Sequence, residues 1–257
     1  MAEKANCNET KTDLVVIAGT GDSQLLLRAL SNLFESSNPD KKIVVQIPDS
    51  VGSSGGLKAL RDNSVTLART ARVLNEKEKR YGFRQYHFAQ SPVVFAVHGS
   101  VNGVKNLTQQ QIIGIYNKTY RYWNELGGPN QPIYPIQREQ GDSSRHIIHQ
   151  KISNFPKATR AKIYYSTPDA AQALSDHKFS IGYLPLSTAK AHNLNIISYD
   201  GNLPTEKNVL QGGYSLVAPL FLVSNGNLTE AAQTFMQFLK SDTAKEMIRN
   251  YGAIPVL

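Results

Sequence analysis

The chain has 257 residues, 40% of them hydrophobic and 19% charged, with a formal net charge of +8. That is the composition of a folded globular protein, long enough for one large domain or two ordinary lobes. No apolar run approaches the roughly 20 residues that span a bilayer, and the single cysteine, Cys7, excludes an internal disulfide and a cysteine-rich metal site.

Met1 to Thr12 is polar and lacks the apolar core of a signal peptide. It reads as the start of a mature, exported chain, periplasmic or otherwise outside the cytoplasm, with residues 1–13 a flexible tail and Cys7 an unpaired thiol. Leu14 to Ala18 is a short apolar run, consistent with a buried strand. Ser23 to Phe34 carries a helical stripe of Leu26, Leu27, Leu30, Leu33 and Phe34. Ile43 to Ile47 reads as a second strand, Leu57 to Asp62 as a helix, Val65 to Ala68 as a third strand and Asn75 to Tyr81 as a short charged helix. This β-α-β-α-β alternation predicts a parallel sheet with crossover helices.

Pro92 to Val97 reads as a strand, and Gln109 to Tyr116 as a helix capped by Thr108. Ile133 to Ile136 leads into a predicted helix from Ser144 to Ile152. A helix over Asp169 to Leu174 and a strand over Ile181 to Leu184 complete a second β/α lobe. Asp200 to Gly213 reads as a loop, Ser215 to Ser224 as a strand and Thr229 to Arg249 as one helical region. The fold expected is α/β and two-lobed, each lobe a mainly parallel sheet flanked by helices. Lobe one comprises residues 14–95 and 192–257, and lobe two residues 96–191.

Three loops rich in small residues and hydrogen-bond donors precede predicted helices: Gly19 to Gln24, Gly52 to Gly56, and Arg138 to Arg145. Free N–H groups at helix N-termini hold small anions, and the small residues let backbone approach a ligand closely. The hydroxyls of Ser23, Ser53, Ser54, Ser143 and Ser144 add donors, and Arg138, at a strand end, offers a bidentate fork to a tetrahedral oxyanion. Each loop alone is an ordinary turn; together they predict one oxyanion cleft.

The order of these motifs, with Asn106-Leu107-Thr108, Tyr122-Trp123-Asn124, Ile181-Gly182-Tyr183 and the closing Tyr251 to Leu257, resembles the periplasmic phosphate-binding proteins of ABC transporters, of the type II solute-binding fold. The resemblance runs from about Leu14 to Leu257. It implies a hinged, two-lobed, non-catalytic protein that closes on phosphate, works with a membrane permease and is monomeric. Carried over by position, it implies a ligand-binding set of Thr20, Asp22, Ser23 and Gln24, then Ser53 and Ser54, then Thr70 and Arg72 at the third strand's end, and finally Arg138, Asp142, Ser143 and Ser144. No cofactor is implied.

The chain departs from the family pattern in three places. Where its well-known members end the third strand with Ser-Asp, the Asp accepting a proton from hydrogen phosphate, this chain has Ala71-Arg72. Asp22 and Asp142 occupy positions usually held by small residues. Either carboxylate could replace the lost acceptor, or both could simply cap helices, for which Asp is a preferred residue. In the second case sulfate, molybdate or an organic phosphate becomes the alternative ligand.

Other constellations are weaker. Gly21-Asp22-Ser23 resembles the opening of the Gly-Asp-Ser-Leu esterases, with Ser23 as nucleophile, but no Asp-x-x-His pair follows to activate it. His146 and His149 have metal-ligand spacing, no third ligand, and read as a solvent-facing pair, so no metal is expected. The Tyr116 to Trp123 cluster could stack on nucleic acid, but no larger basic stripe surrounds it. It reads as packed aromatics, with no nucleic acid bound. The runs Lys77 to Arg80 and Lys157 to Lys162 read as solvated faces, and the excess charge raises the local concentration of anions. A nucleotide P-loop is excluded, because no Gly-Lys-Ser/Thr occurs.

Overall fold

The structure, a computed structural model, describes residues 12–157 and 161–257. The expectations for the tail up to residue 11 and for Cys7, and for the centre of the Lys157 to Lys162 run, lie outside the described residues; Asp13, expected in the tail, already belongs to the first strand. In chain order the elements are β1 (Asp13–Gly19), α1 (Gln24–Ser37), β2 (Ile43–Gln46), α2 (Gly52–Arg61), β3 (Leu67–Thr70), α3 (Glu76–Lys79) and β4 (Arg84–Val97). There follow β5 (Asn106–Leu107), α4 (Gln109–Tyr116), β6 (Tyr134–Arg138), α5 (Ser143–Lys151), β7 (Lys162–Tyr164), α6 (Thr167–Asp176), β8 (Ser180–Pro185), α7 (Leu186–Ala191) and β9 (Asn195–Tyr199). The chain ends with α8 (Glu206–Leu210), β10 (Val217–Ser224), α9 (Glu230–Phe238), α10 (Asp242–Asn250) and β11 (Ile254–Pro255).

The strands join in the order β2-β1-β3-β10-β4-β8-β6-β7. β1 runs parallel to β2 and β3, and β6 parallel to β7 and β8. The alternation expected from the sequence is therefore present in both halves. Between them lies β4, whose first part, Arg84 to Pro92, pairs antiparallel with β10, while Val93 to Val97 pairs with β8 and β9. One strand thus passes from one half of the sheet to the other. Its apolar part, Val93 to Val97, is almost fully buried, among core residues that run from Val15 to Ala253.

Several elements differ from expectation, each for a local reason. β4 starts eight residues before the predicted Pro92, because Arg84 to His87 mixes polar residues into a segment held on the sheet by pairing with β10. The helical region at the C-terminus divides in two, because the Ser241 hydroxyl accepts from the Ala244 N–H and starts α10 afresh. The loop expected over 200–213 contains α8, capped by Thr205. The strands β7 and β9 are too short to announce themselves by pattern. His149 is not solvent-facing: its ring stands edge-on to Phe155, with centroids 5.1 Å apart. Tyr116 and Trp123 are core residues, bonded to the carbonyls of Ile136 and Phe179.

The second glycine-rich loop is the first turns of α2 rather than a free loop. There Gly56 serves packing, since a Cβ at that position would stand 2.6 Å from the Gly19 Cα and 2.6 Å from the Ala18 carbonyl oxygen. It lets α2 lie against the end of β1 and brings Ser53 over the first loop.

Candidate anion-binding site

The first and third donor loops, and the turn that leads into α2, leave the C-terminal ends of β1, β6 and β2. Crevices outside the carboxyl ends of parallel strands are where open α/β sheets bind ligands. A cleft of about 690 Å³ opens there, with Thr20 and Ser53 on one wall and Arg138, Asp142 and Ser143 on the other. A larger cavity, about 800 Å³, lies at the opposite end of β6, floored by Ile115, Ile133 and Ile136 and rimmed by exposed Lys118, Arg121 and Lys178. Chemistry rather than size separates the two, because buried Thr20, Ser53, Arg138, Asp142 and Ser143 converge on the first, whereas Ser180 is the buried polar residue lining the second.

Those groups meet across the two halves of the sheet. The Ser143 Oγ stands 3.2 Å from the Ser53 Oγ and 3.5 Å from the Thr20 Oγ1. The Ser144 Oγ donates to Asp22 Oδ2 at 3.3 Å. Thr20, Asp22, Ser23, Ser53, Ser143 and Ser144 are all buried. The Ser23 Oγ and Asp22 Oδ1 find no hydrogen-bond partner among the described residues. Buried polar atoms are ordinarily paired, so orphans clustered beside four other hydroxyls mark a place built for a polar ligand.

Arg138 ends β6 with its side chain 5% exposed. Its guanidinium donates to Thr167 Oγ1 at 2.7 Å and to the Tyr164 carbonyl at 3.2 Å, and pairs with Asp142 Oδ2 at 2.9 Å. Asp142 does two jobs, since its other oxygen caps α5 by accepting from the Arg145 N–H at 2.8 Å. Asp22 does not cap a helix. Thr20 accepts from its N–H, and its carboxylate crosses to the opposite wall.

Burial pushes both carboxyls above the ordinary range. Asp22 rises to about 7, first through burial and then through the charge of Asp142; Arg138 and the hydroxyls of Ser144 and Thr167 oppose the rise. Asp142 is also raised by burial, against the pull of Arg138 and the Arg145 N–H. Of the two, Asp142 has the guanidinium and the helix start, so it keeps the charge and Asp22 takes the proton near neutrality.

Other members of the expected set sit apart from this cluster. Arg72 pairs with Glu78 at 2.7 Å and donates to the Ser54 Oγ, and Ser54 is exposed. Thr70 is buried, but its hydroxyl donates to the Arg72 carbonyl and accepts from Gln85. The Gln24 side chain turns to Arg69 and Asp49, and its N–H closes on the Gly21 carbonyl. These four residues hold the walls. The sequence reading missed Thr167, whose Ser-Thr-Pro-Asp context, a cap and a proline opening a helix, was a fourth donor-rich start.

The walls are close-fitting at Gly21. A Cβ there would lie 2.8 Å from the Thr167 Oγ1. Gly21→Ala is therefore expected to weaken anion binding about tenfold or more while shifting the ligand-free melting temperature little. Equal loss of stability and binding would show instead that Gly21 serves the first loop's own fold.

Known proteins resemble this chain along most of its length. A family profile described as a PBP superfamily domain matches residues 6–243. The phosphate-binding protein PstS of Bacillus subtilis is 27% identical over 260 residues, covering 99% of this chain and 85% of the relative. PstS of Borreliella burgdorferi is 24% identical, covering 98% and 93%. Among solved structures, a Clostridium perfringens substrate-binding protein assigned to phosphate ABC transport, with bound phosphate, superposes with a TM-score of 0.85 at 25% identity, covering 95% of this chain and all of the other. A phosphate transport receptor of Vibrio cholerae shares the fold with a TM-score of 0.68 at 24% identity, covering 93% and 99%.

Proposed function

The chain belongs to the PBP superfamily, and from that premise we propose that it is a non-catalytic binding protein that captures phosphate for ABC-type import. The observation that carries the reading is the buried cluster of hydroxyls from both halves of the sheet, backed by Arg138. Such a cluster meets a tetrahedral oxyanion with hydrogen-bond donors on several sides, and its closure depends on both walls. The relatives' phosphate names and the phosphate-bound neighbour support the same ligand. Ser23 is fully buried and its Oγ has no base to activate it among the described residues, which leaves the esterase reading without a mechanism.

Within that reading, the limits expected at 95/96 and 191/192 move, so that one lobe consists of residues 14–92 and 217–257 and the other of residues 93–199. β9 supports the second limit, because it pairs with Phe95 to Val97 and with β5. The bound anion touches Thr20, Asp22, Ser23, Ser53, Arg138, Ser143 and Ser144. The protein works outside the cytoplasm as a monomer and delivers to a membrane permease.

A thermal-shift panel of phosphate, arsenate, sulfate, molybdate and organic phosphates tests the proposal. Phosphate is expected to raise the melting temperature in a concentration-dependent way, as any ligand specific for the folded state does, and sulfate far less at pH 8. No shift with phosphate at millimolar concentration would refute the assignment.

A further inference from the structure

Arg69 is fully buried at the end of β3, and among the largest side chains in the interior that are so. Its Nε donates to the Thr20 carbonyl at 2.7 Å, one Nη to the Ile17 carbonyl, and the other to the Pro48 carbonyl at 2.8 Å and to Gln24 Oε1 at 3.4 Å. All four acceptors are neutral. No carboxylate of the described residues pairs with the guanidinium. The acid that acts on it through space, Asp49, is exposed and bonded to Arg28. Burial, and then the charge of Arg28, pull the Arg69 pKa down to about 10, which still leaves the guanidinium charged at neutral pH.

A buried cation without a counter-ion is costly to the fold alone. Arg69 is nonetheless held under the loop that carries Thr20, Asp22 and Ser23. The peptide it grips through the Thr20 carbonyl presents its N–H at Gly21, on the cleft wall. Donation to that carbonyl polarises the peptide and strengthens the N–H as a donor. The Pro48 carbonyl lies on the connection from β2 toward α2, so one side chain also sets the spacing of the first loop and the Ser53 turn. Arg138, in contrast, is engaged by Asp142, and Arg72 by Glu78.

We propose that Arg69 is a positioning residue of the anion site, a buried cation that fixes the first loop from beneath and supplies positive charge that the Arg138–Asp142 pair does not. The proposal rests on the phosphate reading above. In the ligand-free protein its direct partners are all carbonyl and amide dipoles; the bound anion provides a buried opposite charge without touching it.

The test is calorimetric titration of inorganic phosphate into the wild-type chain, Arg69→Met and Arg69→Lys, with thermal unfolding of each without phosphate. Arg69→Met, close in shape but uncharged, is expected to bind phosphate about tenfold or more weaker. Arg69→Lys, which keeps the charge but not the fork, is expected to recover more than half of that loss on a logarithmic scale. A purely structural role predicts otherwise, with both variants melting lower and binding phosphate alike once folded. A smaller loss in Arg69→Met, or no recovery in Arg69→Lys, overturns the proposal. If Arg69→Met does not fold, Arg69→Gln, which keeps an amide donor for the Thr20 or Pro48 carbonyl but not the charge, takes its place, with the same loss of about tenfold or more supporting the proposal and a smaller one overturning it. Failure of the wild-type chain to bind phosphate would instead remove the reading on which the proposal rests.

Discussion

Arg138→Ala is expected to weaken phosphate binding by more than about 2 kcal/mol, roughly 30-fold or more, the scale of a lost charge-assisted hydrogen bond. It should also destabilise the ligand-free protein by about 3–5 kcal/mol, as removing one partner of a buried pair does. The second effect comes from Asp142, whose side chain is only 4% exposed and pairs with Arg138 at 2.9 Å. Without the guanidinium, the burial that already raises Asp142 acts unopposed by its main partner. A carboxyl raised in the folded state stabilises the fold below its unfolded pKa and loses that contribution as pH rises through the folded value. The variant's instability should therefore grow from pH 5 to pH 8. Adding Asp142→Asn removes the stranded charge and keeps an oxygen to cap α5, so the double variant should regain most of the stability and none of the binding. Calorimetry and denaturant unfolding at the two pH values separate the effects. Unchanged phosphate affinity in Arg138→Ala would remove Arg138 from the site.

Much of this site was legible in the sequence because strand, turn and helix start are local patterns. β1 followed by Thr20 to Ser23, and β6 followed by Asp142 to Ser144, place donors where the chain itself announces them. What local pattern cannot supply is the partner across the cleft. Asp22 and Asp142 both suit a helix cap, yet only Asp142 caps, because Ser144 of the opposite wall stands within reach of Asp22. Arg69 and Arg72 lie three residues apart on one strand end. Nothing in their spelling says that the first is buried under the loop while the second turns out to Glu78. Ser53 and Ser54 differ in the same way, since the helical rise of α2 buries one and exposes the other. The alternation of Arg84 to Ala89 conceals half of the strand that joins the lobes, for the length of β4 is set by its neighbours rather than by its own apolar run.

Asp22→Asn is expected to erase most of the discrimination between phosphate and sulfate. With Ala71-Arg72 after β3 in place of Ser-Asp, Arg72 stands where the family pattern puts the acceptor, and Asp22 is the buried carboxyl that reaches the hydroxyl cluster with an oxygen still unpaired. Hydrogen phosphate brings a proton that an ionised Asp22 can accept. Sulfate brings none at neutral pH, so the two anions oppose each other across a desolvated gap, at a cost of several kcal/mol. Because Asp22 is raised to about 7, the barrier to sulfate depends on pH. Above pH 7 the carboxylate repels sulfate, and below about pH 6 the protonated acid can donate to it. Sulfate affinity should therefore rise as pH falls from 8 to 5.5, and the preference for phosphate should shrink with it. In Asp22→Asn the amide donates at every pH, so sulfate binding should lose its pH dependence and the phosphate-to-sulfate ratio at pH 8 should fall by about tenfold or more. Stability gives an independent sign. The folded pKa of Asp22 lies above its unfolded value, so its ionisation costs the ligand-free fold stability as pH rises through 7. Asp22→Asn should then raise the ligand-free melting temperature at pH 8 more than at pH 5. A sulfate titration that is flat with pH in the wild-type chain, or an Asp22→Asn variant with undiminished selectivity, would place the proton acceptor elsewhere.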